Sequence, residues 1–174
     1  ALVKLKETQW NIALKRLSDV DLLTVTPDAI DAHPLIREYF AKQLREMQPE
    51  AFRAAHARLF DHLCETTPHR PDGIDGLAPL YEAVQHGCLA GRHQEACEKV
   101  YRDRILRGTS QSGFYSRNRL GVFGADLGAV AWFFESPWSQ PSPNLAEDAQ
   151  AWLLSEGVTD EGLVHLNRLK SLKS

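Results

Sequence analysis

Two histidines and two cysteines in the middle of the sequence have the side-chain types that bind zinc. They are His86, Cys88, His93 and Cys97. His93 and Cys97 are four residues apart and share one face of a helix, whereas His86 and Cys88 are two apart and point in different directions. Both cysteines also occupy apolar stripes, where a free cysteine behaves as a small hydrophobic side chain. We therefore expect core residues here and no metal site.

The chain contains no phosphate-binding loop of the form Gly-x-x-x-x-Gly-Lys-Ser/Thr. The glycines of residues 120–134 lack the preceding strand that a dinucleotide-binding motif requires. This segment is apolar on nearly every face and too short to span a bilayer, so it predicts a buried central helix whose small residues admit a neighbouring helix. We expect no catalytic residues, no enzyme activity and no cofactor in this chain.

Arginines between residues 92 and 119 form the main candidate for a partner-binding surface. Those singled out for this role are Arg92, Arg104, Arg107, Arg117 and Arg119. Glu95, Glu98 and Asp103 are interspersed with them, so such a surface would suit an acidic protein partner better than DNA. A solvated helix face next to a polar loop is the other interpretation, and both stay open.

The overall charge gives little support to nucleic-acid binding. The 174 residues carry a formal net charge of −3 and a pI of about 6.2, so no strongly basic field is available for a polyanion. Three cysteines without disulfide-like spacing and no secretory signal predict a cytoplasmic protein with no role at a membrane. Because Ala1 is not a methionine and residues 2–17 begin in mid-pattern, we expect a longer parent protein.

The elements that carry these residues begin with a helix, a tight hairpin and a second helix. Residues 22–25 and a run from Ile30 are short apolar segments separated by residues 26–28, Thr-Pro-Asp, whose turn chemistry favours chain reversal. Pro34 then fits the first turn of a helix, whose apolar residues follow at helical spacing. Helix, two-stranded wing and helix is the order found in winged-helix domains.

The remainder of the sequence predicts paired helices. Apolar residues recur at intervals of three and four over 52–63, 80–89 and 93–105, and Gly91 breaks the last two segments apart. Polar loops at 65–76 and 108–118 border this central pair. One repeat length separates Leu77 from the break at 108, which is typical of a degenerate tetratricopeptide unit. We also expect a last helix with Asn144 as its N-cap and Glu147 as its capping-box partner.

Several segments resemble bacterial STAND-type signalling ATPases, relatives of the NACHT and NB-ARC proteins. Residues 31–40, Asp-Ala-His-Pro-Leu-Ile-Arg-Glu-Tyr-Phe, are similar to the segment that closes the winged-helix domain of that family. Residues 78–87, 91–96 and 120–127 are similar to the tetratricopeptide-like region that follows it in one bacterial branch. The resemblance covers residues 10–156.

This resemblance implies a mainly α protein. A partial winged helix with a short β-hairpin, residues 1–48, precedes a tetratricopeptide-like stack of helical hairpins, residues 49–174. The implied function is a non-catalytic regulatory and sensor segment of a signal-transduction ATPase. Its partner would be its own ATPase module or another protein, and oligomerisation of the full-length protein stays open.

His33 is the one candidate for nucleotide sensing. In STAND-type proteins a histidine of the winged helix contacts the phosphates of the nucleotide, and His33 lies in the matching segment. The alternative, which we favour, is that His33 packs beside Pro34 and orients the wing through a ring hydrogen bond.

A winged-helix DNA-binding transcription regulator with a helical interaction domain is the alternative function. The wing, residues 24–28, has no Lys or Arg. The first helix has four basic residues, which are Lys4, Lys6, Lys15 and Arg16. Glu7 and Asp19 dilute this charge, and phosphate neutralisation supplies most of the affinity of such domains, so nucleic acid is not the favoured partner. A free-standing helical scaffold would differ only in what lies upstream of Ala1.

Overall fold

The computed structural model describes residues 6–27, 29–109, 113–136 and 138–158. Within these ranges the protein is mainly α-helical with a short antiparallel hairpin near its start, which confirms the predicted fold class. The chain packs as two compact units, Ala1–Phe52 and Arg53–Ser174, divided close to the predicted boundary after residue 48. None of the helices in the described ranges has the length and apolar composition to cross a membrane.

The first unit follows the predicted order of helix, hairpin and helix. Its elements are α1 at Glu7–Asp19, β1 at Leu23–Val25, β2 at Ile30–Ala32 and α2 at Pro34–Met47. The two strands pair antiparallel, with Leu23 opposite Ala32. Thr26 closes the turn, because its backbone N–H donates to the Ala29 carbonyl at 2.8 Å and its hydroxyl oxygen accepts from the Ala29 N–H at 3.0 Å.

Helix α3, Pro49–Thr66, begins in the first unit and continues in the second. The elements that follow are α4 at Gly73–Leu89, α5 at His93–Glu95, a π-helix at Ala96–Ile105, α6 at Tyr115–Asn118, α7 at Phe123–Ala131, β3 at Phe134–Ser136, β4 at Gln140–Pro141 and α8 at Glu147–Val158. The proline-containing residues 137–143 predict an extended connector, but β3 and β4 pair antiparallel in this part of the chain. In their turn the Trp138 ring packs 5.7 Å from the ring of Phe134.

The core of the second unit lies between α4 and the π-helix. Leu80 and Val84 of α4 are buried, as are Val100 and Ile105 of the π-helix, which confirms the two predicted apolar stripes. The turn that joins the two helices contains Gly91, whose φ of 80° lies in the left-handed region that glycine tolerates. The predicted αα-hairpin is therefore present.

The second helix of this hairpin winds as a π-helix, whereas its sequence predicts an α-helix. Its inward residues recur every four positions, and they are Ala96, Cys97, Val100, Tyr101, Arg104 and Ile105. A repeat of four exceeds the 3.6 residues of an α-helical turn, and the wider turn of a π-helix accommodates it. In this helix a backbone N–H donates to the carbonyl five residues earlier in the chain. The Leu106 N–H, for example, donates to the Tyr101 carbonyl at 2.9 Å.

The prediction of a buried central helix over 120–134 is wrong. α7 buries one face, with Asp126, Ala129 and Val130, and exposes Gly124 and Gly128. In the described part of the chain, no atom beyond the adjacent residues and the backbone of α7 itself lies within 4 Å of a Cβ built on either glycine, so these residues do not admit a neighbouring helix. Glycine and alanine add little apolar surface, and their presence on the outer face made the segment resemble a buried one.

The predicted cap of the last helix is also wrong. α8 begins at Glu147, and Asn144 lies before its start. The Ala146 N–H that precedes α8 donates to Oε1 of Gln94 at 2.8 Å. Leucines recur at three-residue intervals at 163, 166 and 169, which predicts an apolar helical stripe, and these residues lie outside the described ranges.

Gly87 of α4 marks the closest approach of three helices. An added Cβ at this position would lie 2.8 Å from the Cβ of Ala96 in the π-helix and 2.9 Å from the ring of Phe60 in α3. The three helices thus meet where there is no room for a methyl group.

We expect Gly87→Ala to lower the free energy of unfolding by about 1–3 kcal/mol, because overpacking displaces the neighbouring helices. Gly128→Ala is the matched control at an exposed helical position, and it should raise the free energy of unfolding by about 0.5–1 kcal/mol. Urea unfolding followed by circular dichroism measures both changes. Equal effects of the two substitutions would contradict the close contact at Gly87.

Candidate functional site

Arg104 is one of the partner-binding candidates, and the structure places it inside the second unit. The side chain extends from the π-helix toward the end of α3 and is only 6% exposed. Nε donates to the His69 carbonyl at 3.0 Å and Nη1 donates to the Cys64 carbonyl at 3.2 Å. Nη2 donates to the carbonyls of Thr67 and Pro68 at 2.8 and 3.1 Å. Arg104 therefore closes the C-terminal end of α3, where a helix leaves its last carbonyls without partners.

Arg107 also binds the connection between α3 and α4. Its guanidinium donates to the Pro71 carbonyl at 2.7 Å and to Oδ1 of Asp72 at 3.1 Å. The same guanidinium lies 3.4 Å from the ring centroid of Tyr115 in α6. Together with Arg104, this side chain fixes the path of the chain from α3 into α4.

Asp126 is a buried carboxylate at the centre of a polar network. It is 2% exposed, and its Oδ1 accepts from the Tyr81 hydroxyl at 2.6 Å. Oδ2 accepts from the Ser116 hydroxyl at 2.8 Å and from Nε of Arg117 at 3.0 Å. Burial, and after it the Asp126 charge, raises the pKa of Tyr81, so that its hydroxyl stays a donor. One carboxylate thus joins α4, α6 and α7. In the sequence, the only indication of this role is that Asp126 is the single acidic residue in an otherwise apolar segment.

The remaining two arginines of the candidate set differ in their surroundings. Arg92 pairs with Asp61 at 2.6 Å and with Glu95 at 2.7 Å, and it lies over the Phe60 ring at 4.4 Å. Arg119 is exposed. Arg92, Arg104, Arg107 and Arg117 thus have partners in their own unit, and a role of the five arginines in partner binding stays a prediction.

A cavity of about 350 Å³ lies between α3, the π-helix and the chain that follows α3. Phe60, Cys64 and Val100 supply its apolar wall. Charged side chains around this wall include Asp61, Glu65, Arg92, Lys99, Asp103 and Arg104. Burial raises the pKa of the Cys64 thiol against the opposing effect of nearby Arg104, so the thiol stays neutral. No pattern in the sequence predicts this cavity, because its two walls come from helices that are distant in the chain.

The residues of the zinc-like pattern have separate surroundings. Cys88 and Cys97 are buried in the core, and burial raises the pKa of both thiols, that of Cys97 to about 12. Nδ1 of His86 lies 2.9 Å from Nδ1 of His56 on α3, so one ring donates the proton that the other accepts. In the described ranges, no three His, Cys, Asp or Glu side chains converge as a metal site would require.

His33 is the N-cap residue of α2. Its Nδ1 accepts a hydrogen bond from the Leu35 N–H at 3.3 Å, and Pro34 takes the first helical position. The ring thus supplies an acceptor for one of the N–H groups that a helix start leaves without an intrahelical partner. This contact fits the structural role that we favour for His33, and nucleotide sensing stays a prediction.

The first unit leaves many large apolar side chains in solvent. None of its described residues before Phe52 is buried. The exposed side chains include Trp10, Ile12, Val25, Ile30, Leu35, Tyr39, Phe40 and Met47. A groove of about 280 Å³ on α2, called here the α2 groove, is lined by Phe40, Gln43, Leu44, Met47 and Gln48. Apolar surface of this extent is typical of an interaction site.

Comparison with known protein families, with curated proteins and with solved structures finds no match for this chain. The candidate sites are therefore those that its own geometry defines. They are the α2 groove of the first unit and the charged cavity of the second.

We expect Arg104→Met to lower the free energy of unfolding by about 2–4 kcal/mol, because it removes the donors of four carbonyl groups. Arg104→Lys should recover only part of this loss, since one ammonium group cannot reproduce the planar fork of a guanidinium. Arg119→Met at an exposed position is the control and should change stability by less than about 0.5 kcal/mol. A loss as small as that of the control would show that Arg104 does not close α3.

Stability of the second unit should decrease as the pH falls below the usual histidine pKa of about 6.5. Burial lowers the pKa of His86, although Glu82 acts in the opposite direction. The folded state therefore binds a proton on His86 less readily than the unfolded chain does. The contribution of neutral His86 to stability is fully present above the usual histidine pKa and is lost as the pH falls below it. Protonation of both His56 and His86 would also place two cations 2.9 Å apart.

His86→Gln should accordingly reduce the drop in melting temperature between about pH 7.5 and about pH 5.5. His62→Gln, at an exposed position of α3, is the matched control and should leave that drop unchanged. Identical pH profiles for the wild type and His86→Gln would exclude this histidine as the cause.

Proposed function

We propose that this chain is a non-catalytic regulatory and protein-interaction segment of a bacterial STAND-type signal-transduction ATPase, acting in the cytoplasm. The exposed apolar surface of the first unit is the observation that carries this proposal. The absence of a phosphate-binding loop from the sequence supports a non-catalytic role. The parent family is proposed from the resemblance of residues 31–40 and of the helical segments that follow.

The α2 groove has the composition of a protein-docking surface. Phe40 is 59% exposed and Met47 is 75% exposed, and transfer of each to a protein interface would contribute about 1.5–3 kcal/mol. Charged residues of both signs, among them Arg37, Lys42 and Glu46, lie on the same helix, as at the rim of an interface. The proposed occupant is an apolar surface of the ATPase module, which this contact would hold inactive.

DNA binding finds no specific support in the first unit. Residues 1–52 contain seven Lys and Arg against eight Asp and Glu, so this unit carries no net positive charge with which to neutralise phosphates. The wing strands carry Asp31 and no basic residue. A protein partner is therefore the better proposal.

Within the described residues, Arg119 is the member of the arginine set best suited to testing partner contacts, because its side chain is exposed. Replacement of Arg104 or Arg117 would break hydrogen bonds to α3 or to buried Asp126, so it would report on stability. Arg119 is exposed and can be replaced without that effect. The α2 groove is the sharper test, since its side chains are apolar and exposed.

In the full-length protein, the double substitution Phe40→Ser and Met47→Ser should weaken binding of the ATPase module to this segment and raise basal nucleotide turnover. If both side chains are buried in the proposed interface, removal of two apolar contacts of this size lowers the affinity at least about a hundredfold. Both side chains are exposed, so circular dichroism and the melting temperature should not change. Nucleotide hydrolysis and gel filtration provide the measurements.

Lys42→Ser on the same helix is the control, because its side chain is 75% exposed and has only a weak pair with Glu46 at 4.0 Å. It should leave turnover and association at wild-type values. The docking proposal would be rejected if the double variant also kept both wild-type values while remaining folded.

A further inference from the structure

The cavity of the second unit has the size and the mixed lining of a small-molecule site. Its volume of about 350 Å³ lies in the range of ligand pockets. Phe60, Cys64 and Val100 give it an apolar wall against which an aliphatic or aromatic group can pack. Neither the docking surface nor the resemblance to ATPases uses this cavity.

Most charges around the cavity already neutralise one another. Arg92 is held by Asp61 and Glu95 at 2.6 and 2.7 Å, and Lys99 contacts the same Glu95 at 3.0 Å. Asp103 accepts from Arg70 at 2.6 Å, and His69 lies 3.2 Å from its other oxygen. A polyanion would meet several carboxylates here, and a polycation would meet several cations. The lining therefore favours a ligand with no net charge.

Two groups of opposite charge keep unused hydrogen-bonding capacity. Arg104 has five N–H donors, and the described residues supply it with four acceptors, all backbone carbonyls, so among these residues one donor on Nη1 and the full positive charge remain. Glu65 has no hydrogen bond or ion pair to the described residues, and it lines the same cavity as Arg104. A buried cation with an open donor favours a carboxylate, and the carboxylate of Glu65 favours a cation.

We propose that this cavity binds a small zwitterion, an α-amino acid with an apolar side chain. The ligand carboxylate accepts from Nη1 of Arg104, and the ligand ammonium donates to Glu65. Its apolar side chain packs on Phe60 and Val100. This assignment does not depend on the proposed docking of the first unit, and it supplies that segment with a ligand to sense.

The test uses the full chain and three probes that differ only in their charged groups. L-phenylalanine carries both charges, 2-phenylethylamine lacks the carboxylate, and 3-phenylpropionate lacks the ammonium group. In two-dimensional NMR titrations, L-phenylalanine should bind with a Kd of about 1 mM or tighter. Each analogue should bind at least about tenfold more weakly, since it loses one charged hydrogen bond. Shift changes should centre on Cys64 and Val100 and leave α7 unaffected.

Glu65→Gln separates the ammonium contact from the rest of the site. This substitution at an exposed position should weaken L-phenylalanine at least about tenfold and leave the affinity for 3-phenylpropionate unchanged. Glu82→Gln, also exposed but outside the cavity lining, should change neither affinity. Absence of L-phenylalanine binding, equal affinity for the three probes, or no effect of Glu65→Gln would each overturn the proposal. The Phe40 and Met47 variants of the first unit should bind L-phenylalanine normally, so the two proposals fail independently.

Discussion

The packing of the second unit depends on a buried guanidinium that closes the end of a helix. The last carbonyls of α3 carry the negative end of the helix dipole, and they would lie without donors beside the π-helix. Arg104 supplies a positive charge and a planar array of donors at that place. Arg107 continues the same connection toward α4 through Pro71 and Asp72. The distance between α3 and the π-helix, and hence the cavity between them, follows from these contacts.

The two units differ in how much of their apolar surface they bury. The second unit encloses a continuous core, in which Leu80, Val84, Tyr101 and Phe133 are almost completely buried. The described residues of the first unit before Phe52 bury none of their large apolar side chains to that degree. A short hairpin with one helix on either side is marginal in water, and contact with a further apolar surface would stabilise it. This contrast is the reason that the protein contact is proposed for the first unit.

The sequence predicted the features that depend on near neighbours. Turn residues around Pro27 and the proline at position 34 define the β1–β2 hairpin and the start of α2, and apolar spacing defines the faces of α4 and its partner helix. The features that it missed depend on distant residues. Arg104 binds carbonyls 35 to 40 residues earlier in the chain, and Asp126 accepts from Tyr81, 45 residues earlier. Periodicity treats such residues as surface charges, because it contains no information on what lies opposite them.

The π-helical winding at Ala96–Ile105 constrains how this protein can change its length during evolution. Deletion of one residue in this segment would permit ordinary α-helical winding, which is the more common state of such a sequence. It would also rotate every later residue about the helix axis, and Ile105 would leave the core as Arg104 lost its alignment with the end of α3. Surface loops accept insertions and deletions readily. This helix should instead keep its residue count among related chains, even where its side chains diverge.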